Sequence, residues 1–295
     1  MSERLPSYGG QAVLEGVMMR GTRACAVAVR APDASIVIDT RPLGGLYRSR
    51  WARVPLLRGL LLLWDALALG MRALTFSANV QAGDEQLSPT QQAAAMAVAV
   101  AGGLSLFFLL PAGVGYLAER LLGAEAWAAN LIEGLTRLGL LVGYVAAIGL
   151  LPDIRRVYGY HGAEHKTINA FEAGAPLTVE DVAAFPREHV RCGTSFLLTV
   201  VVLSVLLFSL VGPLPLLPRL LSRLALIPVL AALAYEYLRL SARLARFAWA
   251  RPLLAPNLAL QRLTTREPDP AMIEVALAAF EAMRAQETEP APSPA

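Results

Sequence analysis

Four long apolar blocks constrain this chain more than any other feature. A bilayer crossing needs about 20 predominantly apolar residues. Residues 93–118 supply that length with no charge at all, and 193–217 supply it with Val and Leu. Residues 127–151 do so around one acid and one base, Glu133 and Arg137, spaced i, i+4 so that they share a helix face. The fourth block, 224–238, is short and holds Pro228 and Glu236. Hydrophobic residues make up 56% of the chain and charged residues 17%, against roughly 25% charge in soluble domains. A freely soluble enzyme, a secreted disulfide scaffold and a disordered chain are thereby excluded. The expectation is a mainly α, polytopic membrane protein.

Sidedness follows from the basic residues, which gather on the cytoplasmic side of membrane proteins. Of the 26 Lys and Arg, ten lie in 1–92, five in 152–192 and seven in 239–295. The remaining connections hold only Arg120, Arg219 and Arg223. The expected placement is therefore a multi-pass protein of the plasma or inner membrane, with both termini and the middle segment in the cytoplasm. No start of signal-peptide type precedes the first block. In a reducing compartment Cys25 and Cys192 are expected as free thiols. A net charge of +3 gives no reason to expect a nucleic-acid partner. Membrane lipids are the expected partners, and Ala101-Gly102-Gly103 offers a small-residue surface for homo-oligomers.

A fifth apolar stretch, 55–78, carries Arg58, Asp65 and Arg72 every seven residues, on one stripe of a helix. If it crossed, every later segment would flip and the Arg-rich C-terminus would lie outside. It is expected as an interfacial or re-entrant helix. Residues 24–30 and 35–40 are β-prone runs around a turn at 31–34, with 11–19 as a third strand. The expected organisation is thus a cytoplasmic β subdomain (1–54), the interfacial helix and linker (55–92), and two transmembrane helices (93–151). A histidine-rich cytoplasmic loop (152–192) and two more transmembrane helices (193–238) follow. The chain ends in a basic helix with an amphipathic helix capped by Asp269 (239–286), then a disordered tail (287–295).

The chemistry concentrates in 152–192, which holds all three histidines (His161, His165, His189) and the single lysine, Lys166. On a helix, His161 and His165 stack at i, i+4 and can chelate one metal ion. His161-Gly162-Ala163-Glu164-His165 is the His-x-x-Glu-His order of inverted zinc-protease helices, where the glutamate is a general base. Glu164 is the candidate base and zinc the leading divalent ion. His189 and Cys192 are the better candidates for a further ligand, with Glu15, Asp153 and Asp181 remaining. Glu172 lies one face along but about 10 Å of rise away from His165. Lys166 would hold an anionic substrate group or simply snorkel. The bland alternative is that the histidines hydrogen-bond Glu164 or headgroups and order the loop.

Residues 9–21 (Gly-Gly-Gln-Ala-Val-Leu-Glu-Gly-Val-Met-Met-Arg-Gly) closely resemble the N-terminal signature of the YqhQ-like bacterial membrane proteins, domain of unknown function 1385. Residues 161–169, His189 with 191–196, and 261–265 with Glu267-Pro268 resemble the other signatures of that family, in order, over about residues 8–285. Val190 stands where the family pattern has proline. The resemblance implies a metal-dependent activity of unestablished kind. It also singles out Gln11, Glu15, Arg20, Asn169, Arg191, Thr194, Gln261 and Thr264 as polar residues of one site near the headgroups.

Three functions compete on this sequence. One is a metal-dependent hydrolase at the cytoplasmic membrane face, acting on a peptide, lipid ester or phosphoester. Another is a non-enzymatic scaffold or regulator binding lipid or a protein partner. A transporter would rest only on Glu133, Arg137 and Glu236.

Overall fold

The computed structural model describes residues 8–43, 50–83, 88–245 and 247–288. Strands β1 (Gly9–Val13), β2 (Gly16–Arg20), β3 (Ala24–Arg30) and β4 (Ile36–Pro42) form an antiparallel meander in that order. The β3–β4 hairpin turns at 31–34 as its sequence predicts. Residues 11–19 are not one strand, however. Val13 pairs with Gly16 across a two-residue turn, Leu14-Glu15, with Glu15 at φ +50°.

Strict alternation buries both faces of β2 and β3. Val17, Met19, Ala26 and Ala28 face a core completed by Ile273, Phe280 and Met283 of helix α11 (Pro270–Thr288) and by Tyr160 and Ala163 of helix α5 (Pro152–Glu172). Met18, Val27 and Val29 face the other way, onto Leu69, Ala73, Phe76 and Val80 of helix α1 (Leu57–Ala82). The fully buried Val, Ile, Phe and Met side chains among these contribute about 1.5–3 kcal/mol each. Asp269 caps α11, accepting from Met272 N–H at 2.8 Å, and Met272, Ile273, Leu277 and Phe280 are buried as expected. The helix runs through residue 288. Residues 287 and 288 of the expected tail, 287–295, are thus helical; 289–295 and Arg246 of the basic helix lie outside the described residues.

The remaining helices are α2 (Pro89–Leu104), α3 (Leu110–Leu122), α4 (Ala126–Ile148), α6 (Val179–Ala183), α7 (Thr194–Val211), α8 (Leu216–Ala225), α9 (Ile227–Leu244) and α10 (Arg251–Thr264). A π-helical turn, Ser105–Leu109, joins α2 to α3. Among the described residues, four helical stretches are long and apolar enough to cross a membrane: Leu57–Ala82, Thr90–Leu122, Ala126–Ile148 and Thr194–Val211. The expected fourth span is a bent pair instead, α8 and α9 meeting at 42°. By length and composition α1 is as good a span as the others. Its stripe is used within the chain, since Arg58 bonds Glu236 of α9 and Asp65 bonds Arg20 of β2.

The charged pair of α4 is one part of a larger buried network. Glu133 accepts from Arg137 at 2.9 Å and from Arg223 of α8 at 2.9 and 3.0 Å. Arg137 also donates to Ser204 of α7 and, at 2.7 Å, to the Phe107 carbonyl in the π-helical turn. The residue four further on, Pro111, has no N–H to give that carbonyl, and here a guanidinium takes it.

Candidate metal centre

Helix α5 carries the site because small residues let it approach its neighbours. A Cβ on Gly162 would lie 2.2 Å from the Arg266 carbonyl, so the chain following α10 touches the helix there. That contact brings the Thr264 carbonyl to His161. At its other end α5 is held to the β1–β2 turn by Glu15, which pairs with Arg156 at 2.5 and 2.6 Å and accepts from Tyr160 at 3.1 Å.

His161 and His165 stand one turn apart with ring centroids 4.4 Å from each other. His161 Nδ1 lies 2.9 Å from the Thr264 carbonyl, and His165 Nδ1 lies 2.6 Å from the Arg187 carbonyl. A carbonyl only accepts, so each Nδ1 carries the proton and each neutral ring keeps its lone pair at Nε2. His161 Nε2 is 3.3 Å from Cys192 Sγ, while His165 Nε2 is buried with no hydrogen-bond partner among the described residues. One ring nitrogen of each histidine and the sulfur lie within 4.8 Å of one another. Metal-binding histidines are oriented in this way, with the far nitrogen tied to a carbonyl. The donors fit a soft-to-borderline divalent ion.

Glu164 is almost fully buried, and its Oε2 lies 3.9 Å from both Nε2 atoms. Burial pushes its carboxyl up to about 7, against the opposing pull of His161 and the Gly10 amide. Cys192 Sγ accepts the Thr194 N–H at 3.4 Å, and Thr194 Oγ1 touches Thr264 Oγ1 at 3.3 Å.

His189 has a different setting. Its Nε2 faces Glu172 Oε2 at 3.4 Å and its Nδ1 faces the Arg191 N–H at 3.4 Å, so it stands beside the group of three rather than in it. Burial lowers its pKa, against the raising effect of the Glu172 bond. Gln261 fixes its backbone from both sides, at 2.9 Å each. Arg191 bonds Glu172 and, at 3.3 Å, the Tyr8 carbonyl.

A cavity of about 560 Å³ opens over these groups. Its walls are the three histidines, Glu164, Cys192, Arg191 and Gly193, with Tyr8, Gly9, Gly10, Arg20, Gly21 and Thr22 from the sheet. Gln11, Glu15, Asn169 and Lys166 are not among its lining residues. Gln11 packs against Gly70 of α1, and Asn169 donates to the Pro186 and Glu188 carbonyls. Lys166 is buried and tied to the Ala183 carbonyl at 2.7 Å and Glu267 at 2.5 Å, on the side of α5 facing α6. Sequence reasoning missed Tyr8, Gly10 and Thr22 as walls and the two carbonyls as orienting groups. Backbone acceptors leave no mark in a sequence. Gly10 could have been found, because paired glycines beside a strand signal close approach.

The sequence profile of a protein family of unknown function, DUF1385, matches residues 54–286. The chain is 36% identical over 291 residues to the uncharacterized protein YqhQ of Bacillus subtilis (strain 168), covering 93% of this chain and 91% of that protein. No solved structure matches it. On both measures the chain is a member of the DUF1385 family.

Proposed function

We propose that this protein is a membrane-embedded, metal-dependent hydrolase whose site faces the cytoplasm at the lipid boundary. The observation that carries the reading is the orphaned, buried Nε2 of His165, aimed with His161 Nε2 and Cys192 Sγ at one point while both Nδ1 protons are spent on carbonyls. His161, His165 and Cys192 would hold a zinc ion. Such an ion supplies Lewis-acid polarisation of a carbonyl or phosphoryl oxygen when bound. Glu164 takes a proton from the attacking water and returns it to the leaving group, a task suited to a carboxyl at about 7. Arg20 and Arg191 stand in the cavity wall already paired, with Asp65 and with Glu172 and the Tyr8 carbonyl.

Packing supports the membrane topology. The sheet, α5 and α11 share one core, so all three lie on one side of any membrane. Three long apolar stretches separate β4 from α5, and an odd number of crossings would part them. From Leu69 to Val80, α1 packs along the sheet, while its first turns pack on α9, where Gly59 meets Ala232 and Tyr235. We read it as a re-entrant helix that returns to the side of the sheet, with α2–α3 and α4 making an outward and a return crossing. The crossings α7 and α8–α9 return the chain to the same side.

A closed structural metal site is the second reading. The equal 3.9 Å distances from Glu164 Oε2 to both Nε2 atoms favour it, since they also suit a fourth ligand. Elemental analysis of the purified full chain separates the readings. About one zinc per chain is expected, lost in His161→Ala and His165→Ala. Glu164→Gln keeping its zinc while losing turnover of a chromogenic acyl ester or phosphodiester supports the base. Zinc loss in Glu164→Gln assigns it to the shell, and a wild type without stoichiometric metal defeats both readings.

A further inference from the structure

The start of α7 stands at the metal-site cavity, with Cys192 and Gly193 both in its wall. The amides that begin a helix point back out of its start and have no partner within it. Here Thr194 N–H reaches Cys192 Sγ at 3.4 Å, Ser195 N–H the Cys192 carbonyl at 3.1 Å and Phe196 N–H the Gly193 carbonyl at 3.0 Å. Gly193 has helical angles, φ −61° and ψ −22°, yet its N–H has no acceptor among the described residues. It leaves the same end of the helix as the Thr194 N–H, which ends on the sulfur of the site.

A helix start alone is no site. The second mark is His165 Nε2, on a ring 1% exposed, which lines the same cavity and also has no partner among the described residues. A spare donor and a spare lone pair thus belong to one cavity, beside Glu164.

The arginines of that wall have nothing to spare. Arg20 pairs with Asp65 at 3.4 Å, and Arg191 with Glu172 and the Tyr8 carbonyl. A phosphoester brings standing negative charge, which calls for uncommitted guanidiniums. A carboxylic ester or amide is neutral until it is attacked, and then gathers one negative charge on one oxygen. A single uncommitted N–H matches that demand.

Resting on the hydrolase reading, we propose that the Gly193 N–H is the donor for this oxyanion, and that the substrate is an ester or amide uncharged at the reacting group. The oxygen of water bonds to the carbonyl carbon while Glu164 takes a water proton. The C=O π pair moves onto oxygen, which accepts from Gly193 N–H. The pair then returns, the bond to the leaving oxygen or nitrogen breaks with its electrons, and Glu164 gives that atom the proton. One such donor is worth about 10²–10³ in rate.

The test uses the full chain in detergent, loaded with zinc, and two probes, p-nitrophenyl butyrate and bis(p-nitrophenyl) phosphate. Gly193→Pro deletes the N–H at a φ that proline shares, about −65°. Gly193→Ala keeps the N–H, and its methyl meets nothing within 4 Å. On the butyrate, kcat is expected about 100–1000-fold lower in the proline than in the alanine variant, with KM equal to within about twofold. The trifluoromethyl ketone of the same acyl group mimics the tetrahedral oxyanion without turning over. Its binding, read by fluorine NMR, should weaken by the same factor. If the proline variant fails to fold or to hold zinc, glycolic acid incorporated at position 193 replaces the amide by an ester and removes the N–H without a ring. Equal kcat and equal ketone affinity in zinc-bearing variants with and without the N–H overturn the donor. Faster turnover of the phosphate than of the butyrate by wild type overturns the substrate class. Wild-type turnover persisting while either of these fails leaves the hydrolase reading standing, whereas turnover of neither probe removes that reading and the proposal with it.

Discussion

Gly10 packs directly on Glu164: a methyl group at Gly10 would lie 2.8 Å from Glu164 Cγ and 2.5 Å from the Met18 carbonyl. The first strand therefore sets the position of the site's carboxyl. Gly10→Ala must shift β1 or Glu164, at a cost of about 1–3 kcal/mol. Thermal unfolding in detergent measures it. Gly9→Ala, with nothing within 4 Å of its added methyl, is the matched control and is expected to unfold at the wild-type temperature. Equal stability of the two variants would show that the strand does not rest on Glu164.

Gly162→Ala drives α5 off the Arg266 carbonyl and loosens the Thr264–His161 bond without touching a metal donor. Loss of an orienting partner lowers metal affinity by about 10–100-fold. Chelator competition reads this directly. His189→Ala is expected to keep its full zinc complement, because that ring is spent on Glu172 and the Arg191 amide. Zinc loss in His189→Ala would mean that His189 turns inward.

Two buried guanidiniums depend on one carboxylate. Glu133→Gln leaves Arg137 and Arg223 facing each other without it, and removal of one partner from a buried ion pair costs about 3–5 kcal/mol. Ser204→Ala removes a single hydrogen bond to Arg137, worth about 1 kcal/mol. Unfolding measurements on the solubilised protein should rank them in that order. The reverse ranking would remove Glu133 from the centre of the network.

The Arg156 hydrogen bonds hold Glu15 below the usual carboxylate range. A carboxylate with a depressed folded pKa stabilises the fold above its unfolded value of about 4.3 and loses that contribution as pH falls through the folded one. Both partners are partly exposed, so the effect is that of a surface pair, about 0.2–1 kcal/mol. Glu15→Gln should unfold earlier than wild type at about pH 7, and the gap should narrow as the pH falls below about 4.3. A gap that persists in acid would assign the effect to packing of the turn instead of charge.

Much of this was legible in the sequence, for physical reasons. The His161/His165 spacing, the Glu133/Arg137 pair and the Asp269 cap are local, and local geometry follows from helical periodicity. The β3–β4 hairpin declared itself through its alternating runs and its turn. The β1–β2 turn did not, because Glu15 adopts a positive φ that usually marks glycine. Long-range pairing was also hidden: nothing in the neighbourhood of Arg223 announces Glu133. Lys166 drew attention as the single lysine, yet it is spent tying α5 to α6 and the start of the C-terminal unit. For α1, the charge distribution argued for a helix that does not cross, and what the sequence hid is its contacts, partly on the sheet and partly on α9.

The carbonyl that orients His161 belongs to Thr264, and the wall opposite begins at Tyr8. The ribosome must release nearly the whole chain, with every crossing threaded in the right direction, before these two ends can meet. A nascent or misthreaded chain would present loose imidazoles with poor hold on any ion. On the proposed metal reading, loading would then wait until synthesis is finished, and an occupied centre would record that assembly succeeded.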